Sequence, residues 1–139
     1  MSTVSDRPYV DMPLRVRYHE CDPQGVVFNA NYLAYFDMAV GELWRQLYGS
    51  YAALVAEGVD TMVAETTLRY RAAARFDEEL VVRAGVDRIG TTSFVIAFRV
   101  ARGDDLVAEG ESRYVFVDAT TLMKAEPPAE VRRRLGGGD

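Results

Sequence analysis

The sequence predicts an α+β fold in which an antiparallel sheet covers one long helix. Two patterns predict it. Tyr32, Phe36, Ala39, Leu43 and Leu47 recur at spacings of three and four, the period of an apolar helical stripe. After residue 60, four stretches alternate apolar and polar residues, as in Leu80-Val82-Ala84-Val86 and Phe94-Ile96-Phe98-Val100, the period of a half-buried strand. A single early helix followed by a run of strands leaves each strand pairing antiparallel with a neighbour and the helix packed on one face.

Residues 1–12 read as a loose arm. From Leu14 to Glu20, Leu14, Val16 and Tyr18 alternate with Arg15, Arg17 and His19, so a first strand is expected there. The Asp22-Pro23-Gln24-Gly25 segment interrupts it as a turn, with Pro presetting φ and Gly taking conformations that other residues avoid. The stripe places a helix over 31–48, with Asn29 or Asn31 as its N-cap and Gly49 as its stop. Tyr35, Leu33 and Trp44 lie off the stripe, so more than one face of this helix is apolar and something wraps it. Residues 51–58 add a short helical turn. Strands follow over about 60–71, 79–89, 92–102 and 106–118, and Pro127-Pro128 begin a last helix ending near Leu135. The 136–139 segment, Gly-Gly-Gly-Asp, reads as a flexible tail.

The 139 residues and 15.5 kDa make one domain, able to bury about two-thirds of its unfolded surface. A net charge of −5 argues against nucleic acid as the main partner. With one cysteine, Cys21, there is no intramolecular disulfide, and no run reaches the ~18 apolar residues that span a bilayer. The N-terminal residues carry no apolar stretch like a signal peptide, so a cytoplasmic protein is expected, without membrane attachment.

The strand, acidic turn and helix start over 18–36 hold the chemistry. The first turn of a helix carries amides without internal partners and about half a unit of positive charge, which stabilises an oxyanion with no side chain. A carboxylate beside such amides, here Asp22, can attack a reactive acyl carbonyl as base or nucleophile. A thioester suits so spare a site, because a thiolate leaves without strong acid assistance.

The same run matches an ordered motif at Tyr18, Glu20, Asp22, Gly25, Val27, Asn29, Tyr32, Tyr35 and Phe36, and so resembles the opening of the hotdog-fold acyl-CoA thioesterases related to 4-hydroxybenzoyl-CoA thioesterase. Residues 70–80, Tyr-Arg-Ala-Ala-Ala-Arg-Phe-Asp-Glu-Glu-Leu, are similar to a second family segment, with Ala in place of its usual Pro. The resemblance implies a hotdog fold, a five-stranded sheet curled around the helix, and subunits paired edge to edge as a homodimer or homotetramer. It implies hydrolysis of an acyl-CoA thioester to free acid and CoA, with Asp22 as nucleophile or general base and the backbone amide of Asn29 holding the oxyanion. Gly25, Val27, Phe28 and Tyr32 then border the substrate. Where relatives carry basic residues for the CoA phosphates this chain has Gly90-Thr91-Thr92, and Arg88 and Lys124 are the nearest candidates, ordinary solvated charge being the alternative for each. That departure keeps an acyl-carrier-protein thioester open as substrate, since the pantetheine arm is common to both. A module that only binds acyl-CoA is the non-enzymatic alternative.

Other chemistries lack their parts. His19 is the only histidine and no G-x-S-x-G element supplies a nucleophile, which excludes a Ser-His-Asp site. One His and one Cys cannot complete a zinc site, so neither a metal nor a cofactor beyond the substrate's CoA is expected. Hotdog-fold dehydratases use a histidine with an acidic partner, and here His19 precedes the acidic turn instead. Asp37, on the helix, is the second candidate acid.

Overall fold

The computed structural model describes residues 7–137. Its elements in order are β1 (Tyr9–Arg15), α1 (Asn31–Tyr48), α2 (Tyr51–Val55), β2 (Val59–Tyr70), β3 (Glu79–Ile89), β4 (Ser93–Arg102), β5 (Asp105–Asp118) and α3 (Ala129–Arg134). Among the described residues the five strands form one sheet in the order β1-β3-β4-β5-β2, every neighbouring pair antiparallel. The later strands and α1 lie within a residue or two of the expected positions. The sheet curls over α1 in the hotdog arrangement.

Alternation makes the core. Leu80, Val82, Ala84 and Val86 of β3 and Phe94, Ile96, Phe98 and Val100 of β4 are all buried, and they face the stripe of α1. Phe36 stacks on Phe98 with centroids 4.1 Å apart and planes 3° from parallel. Trp44 meets Phe94 edge to face at 6.0 Å, and Phe94 in turn stacks on Tyr114 at 5.1 Å. Such aromatic pairs contribute about 0.5–1.5 kcal/mol each beyond their area burial. Gly110 lets β2 approach β5 closely: a Cβ there would stand 2.1 Å from the carbonyl oxygen of Thr67.

Three expectations need correction. The first strand runs over Tyr9–Arg15, not 14–20, so residues 9–12 of the expected loose arm pair with β3, Met12 opposite Val82. Pro13 masked this strand, but at a sheet edge a missing N–H is tolerated. Residues Tyr18–Glu20 form a 3₁₀ turn instead. The N-cap of α1 is Ala30, with no side-chain cap; Asn31 is already helical and its side chain bonds elsewhere. Gly49 does end the helix, at φ 83°. Of the expected tail, Gly136 and Gly137 donate to the carbonyls of Arg133 and Arg132, while residues 138–139, like 1–6 of the arm, lie outside the described residues. Among the described residues no helix is long and apolar enough to cross a membrane.

Candidate active site

Residues 16–31 connect β1 to α1 and are tied down at both ends by main-chain bonds. Val16 exchanges hydrogen bonds with the 77–78 segment, its amide to Glu78 O and its carbonyl from the Asp77 amide, both 2.9 Å. Cys21 and Val27 then bridge antiparallel, closing a small hairpin, and the Val27 amide donates to Ala74 O at 2.8 Å. Asp22 sits at the hairpin's turn. Its amide donates to Val26 O at 2.9 Å, its carbonyl accepts the Gly25 amide at 2.8 Å, and Oδ1 accepts the Gln24 amide at 2.8 Å. The turn needs φ 80° at Gly25, a left-handed value at which a side chain is strained. Oδ2 of Asp22 has no partner among the described residues, and the side chain is half-buried at the mouth of a cavity of about 500 Å³ shared with Tyr18, His19, Cys21 and Phe76. Tyr18 and Phe76 form an exposed edge-to-face pair there, 5.8 Å apart.

Past the hairpin the chain enters α1. The Phe28 amide donates to Glu20 O at 2.9 Å and the Asn31 amide to Phe28 O at 2.9 Å; between them, the amides of Asn29 and Ala30 meet no acceptor among the described residues. No acidic residue occupies the first turn of α1, so the positive end of an 18-residue helix stays uncompensated. Tyr70, the last residue of β2, fixes the other side of the loop by donating its hydroxyl to Asn29 O at 3.1 Å. Asn29, Val27, Tyr32 and Tyr70 line a second cavity, of about 350 Å³. Tyr32 is 3% exposed, and its burial pushes the phenol pKa up to about 12, so it remains a neutral wall of that cavity.

Asp22, Gly25, Val27, Phe28, Asn29 and Tyr32 are therefore gathered in one loop and helix start, with Phe28 exposed. Asp22 and Asn29 line separate cavities, each with residues of the 21–29 segment in its wall. Within one chain the expected phosphate ligands are not gathered there. Arg88 is ion-paired with Asp87 and Glu111, toward the end of β3 away from this loop. Lys124 bridges to Val117, beside the Val59 end of β2. That end lies about 36 Å along the strand from Tyr70, at about 3.3 Å per residue. Asp37 lines a separate cavity of about 320 Å³ with Trp44 and Tyr114. Two residues carry more of the loop than their place in the motif revealed: Glu20 and Tyr70. Their bonds to Asn31 and Asn29 span 11 and 41 residues, beyond any periodicity in the sequence.

The sheet curled over α1, with a carboxylate turn and open amides at the helix start, defines a hotdog-fold domain of the kind the motif implies. The chain belongs to the thioesterase-like superfamily, which it matches over residues 16–135. It is 35% identical over 120 residues to the acyl-CoA thioester hydrolase YbgC of Escherichia coli, covering 86% of this chain and 90% of that protein. It is 27% identical to the 1,4-dihydroxy-2-naphthoyl-CoA hydrolase of Synechococcus, over 95% of this chain and 93% of that one. Among solved structures, the hypothetical protein TT1821 of Thermus thermophilus superposes with a TM-score of 0.84 at 29% identity, covering 93% of this chain and 96% of the other.

Proposed function

We propose that this thioesterase hydrolyses an acyl-CoA thioester to the free acid and CoA through Asp22 and the open amides at the start of α1. Asp22 either takes a proton from a water whose oxygen adds to the carbonyl carbon, or adds its own oxygen to give an anhydride that water then opens. In both routes the carbonyl oxygen becomes negative beside the Asn29 amide, the C–S bond breaks, and the thiolate leaves to be protonated by solvent. The observation that carries the reading is the pairing of a carboxylate oxygen and two main-chain amides, all without partners among the described residues, on one continuous loop.

The chemistry needs water, a carboxylate and amides; no metal or further cofactor enters it, and the site of action is placed in the cytoplasm, where CoA esters are made and used. The chain assembles with copies of itself. β2 is an edge strand of twelve residues whose outer edge is unpaired among the described residues, with Met62 and Val63 half exposed on it. An edge of this length invites pairing.

A carrier-protein thioester is the second reading, favoured by one observation: Arg88 is already neutralised by two carboxylates. Thiol release from short, long and aromatic acyl-CoAs, and from the same acyl groups on pantetheine and on a carrier protein, separates the readings. Hydrolysis of CoA esters above all others is the expected result. Replacing Arg88 and Lys124 together by Ala then raises KM for the CoA ester and spares the pantetheine ester if they grip phosphate. Release no faster than the spontaneous rate from every ester, with binding intact, would leave only an acyl-binding module.

A further inference from the structure

Glu20 lies two residues before Asp22 and takes no part in the chemistry above, yet both its oxygen-bearing groups are occupied. Its side chain is 13% exposed. Oε1 accepts the Arg17 amide at 2.8 Å and the Tyr35 hydroxyl at 2.9 Å, and the Arg17 guanidinium stands 3.8 Å from Oε2. The main-chain carbonyl accepts the Phe28 amide at 2.9 Å and Asn31 Nδ2 at 2.8 Å.

Asn31 and Tyr35 are four residues apart, hence on one face of α1. They reach the main-chain and side-chain oxygens of the same residue. The first turn of the helix is thus registered against the segment carrying Asp22 through one residue, and a small slide or rotation of α1 breaks both bonds. The carbonyl also consumes the Phe28 amide and the Asn31 side chain, which leaves the Asn29 and Ala30 amides as the donors still open. Tyr35 is 1% exposed, and burial together with the bond to Glu20 pushes its pKa well above that of an ordinary phenol. It stays a donor wherever the protein is folded.

We propose that Glu20 is a positioning residue, holding the open amides of the α1 N-terminus in register with the Asp22 carboxylate, and that it acts as a hydrogen-bond acceptor and not through its charge. The inference rests on the reading of Asp22 and Asn29 given above. Misplacing a reacting group by 1 Å can lower a rate about a hundredfold, so a clamp of this kind acts on kcat more than on KM.

The experiment compares Glu20→Gln, Glu20→Met and Tyr35→Phe, measuring kcat and KM on the best thioester and amide hydrogen exchange over residues 28–33. Gln keeps the Oε1 acceptor and should retain kcat within about threefold, whereas Met, of similar shape without an acceptor, should lower it about 10- to 100-fold with KM within about threefold. Tyr35→Phe should give a smaller loss, and adding it to Glu20→Met should cost nothing further, because Glu20→Met has already removed the bond that Tyr35→Phe breaks. Exchange at Phe28 should quicken at least about tenfold in Glu20→Met and stay unchanged in Asp22→Asn. Gln as damaging as Met would show that the charge matters and overturn the proposal, as would a rise in KM matching the fall in kcat. Should Glu20→Met not fold, Tyr35→Phe decides alone: undiminished kcat overturns the clamp. If the wild type cleaves no thioester, the site reading fails, and unchanged exchange in Tyr35→Phe overturns the clamp independently.

Discussion

Asp22→Asn separates the proposed chemistry from the architecture that holds it. The amide and carbonyl of residue 22 make the hairpin's bonds to Val26 and Gly25, and no side chain enters them. The one structural bond of the carboxylate, from the Gln24 amide to Oδ1, is kept by the Oδ1 of Asn. The variant should therefore unfold within about 4 °C of wild type, since at most a fraction of one hydrogen bond, about 1 kcal/mol, is at stake. Its kcat should fall at least about a hundredfold with KM little changed, because an amide can neither take a proton from water nor form an anhydride, and base catalysis alone contributes ~10²–10⁴. Asp37 is the control. It lies eight residues beyond Asn29, about 12 Å along the axis at 1.5 Å per residue, out of reach of a carbonyl held by the Asn29 amide of its own chain. Asp37→Asn should cost less than about threefold in kcat. Thiol release with thermal unfolding on the same samples decides. An Asp22→Asn enzyme retaining more than about a tenth of wild-type activity beside a dead Asp37→Asn would move the acid onto α1 and refute the reasoning.

Gly110→Ala should be among the most damaging small substitutions in the sheet. Its methyl group meets a main-chain carbonyl at 2.1 Å, and forcing β2 from β5 should cost about 2 kcal/mol or more, lowering Tm by about 6 °C or more; an unchanged Tm would mean the strands yield freely. Acid stability is set in part by Glu78, whose carboxyl is held below the usual range first by the Arg75 amide and then by Arg102. A lowered folded pKa stabilises above the ordinary carboxylate value of about 4.3, and that stability is lost as pH falls through the folded value. Tm of wild type should thus drop more steeply below that pH than Tm of Glu78→Gln, and parallel curves would remove Glu78 from the account. Light scattering at micromolar concentration should give a mass of at least two chains, and a monomer would contradict the open β2 edge as an assembly surface.

How far the sequence carried the fold follows from where periodicity is strong. β3 and β4 are covered on the inner face by α1 and alternate cleanly, so their boundaries could be read to within a residue. β1 is short, lies at the edge, and carries Pro13 in its middle. An edge strand needs main-chain bonds on one side only, so its sequence can break the rules that make a central strand legible. The run of alternation from Leu14 onward misplaced the strand because Val16 is buried for another reason: it is stitched to the 77–78 segment, outside the ladder.

The placement of the candidate site was legible for a different reason. Asp22, Gly25 and the start of α1 are placed by local geometry: a turn, a left-handed glycine and a helix end, each encoded in a few adjacent residues. Asn29 was one of two expected N-caps, and in the proposed mechanism it is the amide at that position that counts; a capping side chain would consume the donors that this proposal uses. The absence of a cap, a defect by the rules of helix stability, is consistent with a helix end left open for an oxyanion. Charge partners were the illegible part. Whether Arg88 is free to hold a phosphate depends on Glu111, 23 residues away and brought beside it only when β3, β4 and β5 assemble. Motif and turn chemistry can thus name a candidate attacking group, while the charge partners that decide which residues can grip the far end of a substrate depend on which strands come to lie side by side.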